Sequence, residues 1–532
     1  MMTGKHQLEE DFSAVLKGLD LPQDGVFFEH PRDPKNGDYS TNWALQQAKF
    51  KTSKVKQSPV EIAKKIAENF PKKDYLKKVE AVAPGFINFF LADDFWQQKV
   101  GEIVLKKENF AKVETNRNKK ARVEFVSANP TGPLHIGNAR GGPLGDTLAN
   151  VLALSGYKVF REYYHNDVGG QVQKFETSLW EKISGKNLDG EYKGKYLEEL
   201  AQKVKGEKDK KKAVKKALEI LLLENLAVCK KMGISFDRIY KESEYVPKAP
   251  QVIKKLEKFS KKEEGALWFA PKDEFLKDRE CVLVKSNGEL TYFANDVAYH
   301  AEKFEKDPNL VVDVLGSNHH GHEKRMRAAL TSLGFDVSRF SVILYQFVRV
   351  KRGNEILKMS KRAGTFITAQ EVLDEVGTDA FRFFLLMYDP NTHMDFDLGL
   401  AKERSEKNPV YYVQYAYARI SSILKKTDSN WLSVSGGQVD YSRLGTTYEL
   451  NLIKQLTRLP ELVEEVARDF AVQRIAFYAT ALADSFHQFY ENCKVLTDDR
   501  ELSKARLRLV LATKIVLKST LGLLGISAPE KM

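Results

Sequence analysis

Cysteine is almost absent from this chain. Three occur in 532 residues, Cys229, Cys281 and Cys493, far apart and without a Cys-x-x-Cys pair. A zinc site built on cysteine spacing is therefore not expected, and the scarcity fits a reducing compartment. Long apolar runs are also missing: none reaches the ~18 uncharged residues of a membrane span. The nearest stretch, Leu507 to Ile526, is interrupted by Arg508, Lys514 and Lys518. The N-terminus, Met1-Met2-Thr3-Gly4-Lys5-His6, lacks the apolar core of a secretory signal. There is no internal repeat and no long low-complexity tract. We expect a soluble, cytoplasmic protein with no membrane partner.

What is present points to a multidomain globular chain. Its length implies about three to five domains at roughly 100–200 residues each. A 42% hydrophobic content suffices for full cores. The 84 Lys and Arg outnumber the 72 Asp and Glu, giving a net charge of +12. That balance favours a polyanionic partner, nucleic acid first, although excess lysine is also simply solvated in many proteins.

Three domains can be marked out. Residues 1–110 read as an α+β module. Asp33-Pro34-Lys35-Asn36-Gly37-Asp38 forms a turn, Thr41 to Lys49 a helix, and Ala83 to Leu91 a turn followed by a strand. Charged residues from Glu108 to Lys120 read as a linker. Residues 111–400 open with a strand, Arg122-Val123-Glu124-Phe125-Val126-Ser127. A Gly/Pro-rich turn follows, then a helix to about Leu154 that starts regularly near Pro143 or is kinked by it. A second strand runs from Tyr157 to Tyr164. This β-turn-α-β order starts a Rossmann-type doubly wound parallel sheet of the α/β class. From about Gln171 to Cys281 the pattern is mostly helical and marks a helical insertion at about 176–290. Its lysine cluster, Lys203 to Lys216, suits either a solvated helix face or RNA. Buried-strand character returns at Val311 to Leu315 and at Phe340 to Tyr345. Residues 401–532 read as an all-α bundle.

Two local signals carry chemistry. The first is Ser127-Ala128-Asn129-Pro130-Thr131-Gly132-Pro133-Leu134-His135-Ile136-Gly137-Asn138, where the first strand meets the first helix. That junction is the ligand crevice of an open α/β sheet, and the helix start offers unpaired N–H groups to a phosphate. The second is Lys358-Met359-Ser360-Lys361-Arg362-Ala363-Gly364, after the strand-like Phe347-Val348-Arg349-Val350. Two lysines three apart could clamp the β- and γ-phosphates of ATP while charge moves onto the leaving group. Either element alone is equally read as structural. Together, in this order and more than 200 residues apart, they resemble the two signatures of class I aminoacyl-tRNA synthetases. The departure is Asn138, where the family motif has His; Asn retains a hydrogen-bond donor.

Further stretches resemble the arginyl-tRNA synthetases: Asn408-Pro409-Val410-Tyr411-Tyr412-Val413-Gln414-Tyr415-Ala416-Tyr417-Ala418-Arg419, the ending Leu524 to Met532, and Gly37-Asp38-Tyr39 with Pro84-Gly85-Phe86-Ile87-Asn88. The resemblance spans about residues 20–532 and implies L-arginine, ATP with Mg2+ and tRNA(Arg) as partners of a monomeric enzyme. It implies an N-terminal module on the tRNA elbow and a C-terminal bundle on the anticodon. Pro130, His135, Gly137, Asn138, His319, Lys358, Met359, Ser360 and Lys361 would hold ATP, with His135, Asn138, Lys358 and Lys361 acting in catalysis. Arginine needs planar carboxylate partners. Tyr292 and Asp296 are spaced i and i+4, on one helical face, and resemble the arginine-reading segment. Asn129 resembles the residue that holds the α-amino end. Glu242 resembles a second guanidinium partner, a role that Glu244 could fill after a two-residue slip. Tyr411, Gln414, Tyr415 and Arg419 are the tRNA-binding candidates. His319, His320 and His322 suit ATP ribose or substrate contact more than a metal site, which would want a carboxylate beside the cluster. A cysteinyl-type enzyme would need zinc-ligating cysteines. A non-catalytic tRNA-binding relative would have lost the signature lysines, and both are present.

Overall fold

The computed structural model describes residues 3–49, 58–272, 274–276, 280–353, 355–357, 367–427 and 439–532. The signature loop 358–364 lies outside the described residues.

The N-terminal module pairs β1 (Tyr39–Thr41), β3 (Phe86–Leu91) and β2 (Leu76–Val82) into an antiparallel sheet in the order β1-β3-β2. The expected helix from Thr41 therefore begins later, at Trp43, because Thr41 pairs with Ile87. Phe12, Phe28, Trp43 and Phe89 pack edge to face at the centre, Phe12 to Phe28 at 5.4 Å. The module docks on the C-terminal helix Thr447–Asp469 through buried Glu461. Tyr39 Oη donates to its Oε1 and His30 Nε2 meets its Oε2, both at 2.8 Å. Residues 108–120 are not the simple linker expected, since Phe110 and Ala111 are buried and pack there as part of the core.

The catalytic sheet contains β4 (Lys120–Phe125), β5 (Lys158–His165), β6 (Arg238–Lys241), β10 (Leu310–Gly316) and β11 (Phe340–Tyr345), in the order β11-β10-β4-β5-β6 and all parallel. This is the doubly wound arrangement. Its topological switch lies between β4 and β10, where ligands bind outside the carboxyl ends of the strands. Close helix-on-sheet packing depends on Gly145 in the helix Gly141–Leu154, because a Cβ there would sit 2.3 Å from Phe125. Pro143 occupies the third position of that helix, where its missing N–H costs nothing.

The stretch 171–281 is less helical than the sequence indicated. It contains the helices Gly170–Ser184, Lys195–Val204, Lys210–Lys231 and Ala249–Leu256, but also β6 and an antiparallel sheet of β7 (Ser260–Glu263), β8 (Ala266–Phe269) and β9 (Cys281–Val284). These strands have only four residues each, and β6 and β7 carry charges, so two-residue alternation is hard to see in them. Lysines of the cluster pair in part with acids, Lys203 with Glu224 at 2.7 Å and Lys210 with Glu176 at 2.9 Å. A further sheet joins β12 (Val348–Arg352) to β13 (Glu355–Ile356) and to β14 (Met394–Asp397).

The C-terminal domain is helical, with Pro409–Lys425, Thr447–Asp469, Gln473–Asn492 and Arg500–Leu524 as its long described helices. It is locked to the catalytic domain by Arg382, whose side chain is fully buried. Its Nε donates to Leu524 O at 2.7 Å, Nη1 to Met232 O at 2.8 Å and Nη2 to Asp146 Oδ2 at 2.7 Å. Gly525 caps the last helix at φ +66, and any Cβ there would collide with the guanidinium. All three cysteines are buried, and burial pushes the Cys229 and Cys281 thiols up to about 12, which makes them poor nucleophiles. No helix among the described residues is long and apolar enough to cross a membrane.

Arg382 binds three segments through one buried charge, so its loss leaves Asp146 with only the longer contact to Arg161 at 3.6 Å and removes a donor from two carbonyls. Arg382→Met should cost about 3–5 kcal/mol. Denaturant unfolding measures it, and hydrogen exchange should show loss of protection first at the Leu524 end of the last helix.

Candidate active site

The crevice begins with a forced turn. β4 ends at Phe125, and Val126 and Ser127 then take φ of +69 and +35. A β-branched residue in the left-handed region is rare, and each such residue costs on the order of 1–3 kcal/mol. The turn is held by Ser127 Oγ, which donates to Glu124 Oε1 and accepts from Tyr164 N, both at 3.0 Å. It delivers Ala128, Asn129 and the signature segment to the mouth of the sheet.

His135 caps the short helix Ile136–Ala139 and its Nδ1 accepts from Asn138 N at 3.3 Å. Gly137 lets the imidazole lie close, since a Cβ there would be 3.0 Å from the ring. Arg140 follows, fully buried, and donates to the carbonyls of Gln346, Asp389 and Thr392, each at 2.9 Å. It thereby ties the first signature to the strand pair β11–β12 that leads to the second.

Two cavities adjoin this turn and share Ala128, Asn129, Asn138 and Asn318. One, of about 390 Å³, is walled by Thr131, Gly132, Pro133, His135 and residues of the insertion, among them Lys174 and Tyr196. The other, of about 150 Å³, is lined by Tyr164, Asn166, Tyr292, Asp296, His319 and His322. Of the ATP candidates, His135 and Asn138 line the first cavity and His319 the second. Pro130 and Gly137 belong to the turn but to neither wall.

The second cavity sits on a chain of buried charges. Lys303, on the helix Tyr292–Glu305, reaches carboxylates from three neighbouring strands: Glu124 at 2.5 Å, Asp313 at 3.0 Å and Glu162 at 3.7 Å. Arg122 pairs with Glu162. Asp313 Oδ2 is 2.7 Å from His300 Nε2, and His300 Nδ1 is 3.0 Å from Asp296 Oδ1. Asp296 Oδ2 then meets His322 Nε2 at 2.6 Å. Glu124, His300 and Asp313 have the spacing of a cation site, but the ammonium of Lys303 is bonded to both carboxylates.

These neighbours set the protonation states. Burial pushes His300 down, as does Lys303, but Asp296 and Asp313 outweigh both and raise it to about 10. Burial pushes the Asp296 carboxyl up, yet His300 and His322 hold it well below the usual carboxylate range. Burial also raises Glu242, whose Oε1 accepts from Asn295 Nδ2 and Oε2 from Asn166 Nδ2, both at 3.0 Å. Glu244 turns away and pairs with Arg238 at 3.1 Å. Of the two alternatives, Glu242 is the one built into the cluster behind the cavity.

Sequence reasoning missed several of these groups. The carboxylate beside the histidine cluster is Asp296, which is remote in sequence. Arg122, Glu124 and Asp313, charges inside apolar strands, were a signal that went unused. Tyr164 gave none. The tRNA candidates also separate. Tyr411 and Tyr415 stack at 6.4 Å and 11°, and the Arg419 guanidinium lies over Tyr415 and Tyr490. Gln414 is not with them. It is buried and donates to Asp379 Oδ2 at 2.8 Å and to Ser527 O at 3.0 Å. It sits between the catalytic domain and the C-terminal tail, because successive helical positions point 100° apart.

Comparison with known proteins follows from this geometry. The model for "tRNA synthetases class I (R), catalytic domain" matches residues 99–385. That for the "Arginyl tRNA synthetase N terminal domain" matches 6–91, and that for the "DALR anticodon binding domain" 413–532. The arginine–tRNA ligase of Carboxydothermus hydrogenoformans is 39% identical, covering 98% of this chain and 97% of its own length. The chain belongs to the arginine–tRNA ligases. A second ligase, from Syntrophotalea carbinolica, is 40% identical with 95% of each chain covered. The fold is that of the Thermus thermophilus arginyl-tRNA synthetase, at a TM-score of 0.80 and 24% identity over 99% of this chain and all of that one. The ligase activates arginine with ATP to arginyl-adenylate and pyrophosphate, then transfers arginine to the 3′-terminal adenosine of its tRNA.

The charge chain makes stability depend on pH in a defined direction. His300 lies at about 10 in the folded ligase against an ordinary value of 6.5. Its contribution is complete below about pH 6.5 and is lost as the pH rises through about 10. Asp296 works oppositely, contributing above about pH 4 and losing that contribution in acid. His300→Asn should lower stability at pH 7 by about 3–5 kcal/mol and flatten the decline of Tm between pH 7 and 10. Parallel Tm–pH curves for the two proteins would contradict the assignment.

Proposed function

We propose that the cavity beside Asp296 is the arginine site and that ATP lies along the signature turn next to it. One observation carries this reading: a carboxylate held ionised by buried partners faces a cavity that adjoins the signature turn. In the charge chain, Glu124, Glu162, Asp313 and Asp296 face Arg122, Lys303, His300 and His322. A guanidinium would take the place of His322 at Asp296 Oδ2. Tyr292, 60% exposed at the cavity mouth, would close over the side chain. Asn129 would hold the α-amino group, and Glu242 would act through Asn166 and Asn295 or by direct contact.

ATP enters with its Mg2+. An arginine carboxylate oxygen attacks the α-phosphorus in line while the bond to pyrophosphate breaks. Lys358 and Lys361 meet the charge that gathers on the leaving group, and Met359 and Ser360 are assigned to ATP with them. His135 and Asn138 steady the nucleotide. The terminal ribose hydroxyl of tRNA(Arg) then attacks the acyl carbon and AMP leaves. No protein nucleophile is required, and positioning with charge neutralisation provides the acceleration. The anticodon is assigned to the stack of Tyr411 and Tyr415 with Arg419, and the tRNA elbow to the N-terminal module. A monomer is the proposed state, and the cytoplasm is the proposed location.

Asp296→Asn keeps the shape and removes the charge. It should lower kcat/KM for arginine by about 2–5 kcal/mol, the scale of truncating a buried charge pair, with little change in the KM for ATP. Citrulline, uncharged and nearly isosteric, should lose less, as measured by aminoacylation competition; an unchanged arginine-to-citrulline ratio would refute the charge reading. Tyr415→Ala should raise the KM for tRNA(Arg), since stacking on a base contributes about 1–3 kcal/mol. Gln414→Ala should instead lower Tm and affect all tRNAs alike, which a comparison of anticodon variants distinguishes.

A further inference from the structure

Tyr164 ends β5 at the wall of the cavity that contains Asp296. Its ring lies flat on Tyr299, centroids 4.4 Å apart at 17°, and leans on Tyr245 at 6.4 Å. Its backbone N–H is fixed by Ser127 Oγ, so neither ring nor main chain has room to turn away. The ring is thus held in one orientation by packing that a phenylalanine would provide equally well.

The hydroxyl is what needs explaining. The residue is 5% exposed, and Tyr164 Oη is buried with no hydrogen-bond partner. A buried hydroxyl without a partner costs about 1–3 kcal/mol, and such groups are uncommon enough in native proteins to require a reason. Two other tyrosines of the same cluster do have partners: Tyr299 Oη donates to Glu162 at 3.0 Å and Tyr240 Oη accepts from Arg122 at 2.7 Å. Tyr245 Oη is also unpartnered but is not among the residues that line the cavity. Burial first, then the acidic groups Asp296, Glu242 and Glu124, keep the Tyr164 phenol un-ionised. A neutral phenol oxygen among carboxylates, beside a cavity, is an acceptor waiting for a cationic donor.

We propose that Tyr164 is a further arginine-specificity residue, its hydroxyl oxygen accepting an N–H of the guanidinium held by Asp296. This rests on the reading of the Asp296 cavity as the arginine site. The hydroxyl costs stability while the cavity is empty and returns it when arginine binds. It also sharpens selection, because a side chain without a donor at that point leaves the hydroxyl unpaired. A site built to hydrogen-bond its substrate rejects analogues that lack the group.

Tyr164→Phe tests this in the full-length ligase. The variant keeps the stack on Tyr299, so a packing role predicts no effect, and a fold-supporting role predicts a lower Tm. The proposal expects an unchanged or raised Tm without ligand and a smaller Tm gain on adding arginine. It expects a KM for arginine at least threefold higher in aminoacylation, with the KM for ATP unmoved. Agmatine, which keeps the guanidinium and lacks the carboxylate, should lose inhibition by the same factor. An arginine KM raised less than threefold overturns the proposal, and so does a rise accompanied by a lower ligand-free Tm. Asp296→Asn, run beside it, separates the two layers: if it too leaves the arginine KM unchanged, the cavity assignment itself fails. If only Tyr164→Phe is silent, the hydroxyl alone has been misread.

Discussion

The buried ammonium of Lys303 is the constraint on which the catalytic domain rests. It bonds Glu124 and Asp313 and lies within reach of Glu162, carboxylates from the three central strands β4, β10 and β5. Burying so many charges is expensive, several kcal/mol per ion, and it is tolerated only where each has a partner. The cluster therefore fixes the helix Tyr292–Glu305 over the sheet in one register. That helix also carries His300 and Asp296, so the arrangement that holds the sheet together also sets the charge at the cavity. With the cavity as the proposed arginine site, stability and substrate recognition share residues here, and a lesion in one reaches the other.

The rest of the molecule serves to keep that crevice in place. The turn at Val126 and Ser127 is strained and persists because Ser127 is held from both sides. Arg140 ties the first signature to the strands leading to the second. Arg382 joins the helix behind the signature to the cap of the last helix. Beside it, Asp379 accepts from Gln414 and from Ser527 N. The N-terminal module closes the circle by docking Tyr39 and His30 on Glu461. Residues of all three domains are thus connected by buried polar contacts.

Much of this was legible in the sequence where periodicity or turn chemistry was strong. The strand Phe340–Tyr345, the return to strand at Val311, the helix beginning near Pro143 and the all-α end follow from local patterns. The spacing of Tyr292 and Asp296 put them on one helix face, and both line the cavity. The four-residue strands between Arg238 and Val284 were hidden, because alternation needs more residues than they have and pairing partners supply the rest. Gln414 was misassigned because its neighbours Tyr411 and Tyr415 face outward while it faces Asp379. The pairing of His322 with Asp296 and the unpartnered hydroxyl of Tyr164 exist only in three dimensions. No spacing rule finds them.

The central claim is that this crevice holds a guanidinium against Asp296 on a foundation of buried charge. Its most direct test is a crystal structure of the ligase with arginine alone. We expect the guanidinium beside Asp296 Oδ2, in the position that His322 Nε2 fills at 2.6 Å in this structure, with the contacts of Lys303 and His300 unmoved. Arginine bound elsewhere, with Asp296 still paired to both histidines, would contradict it.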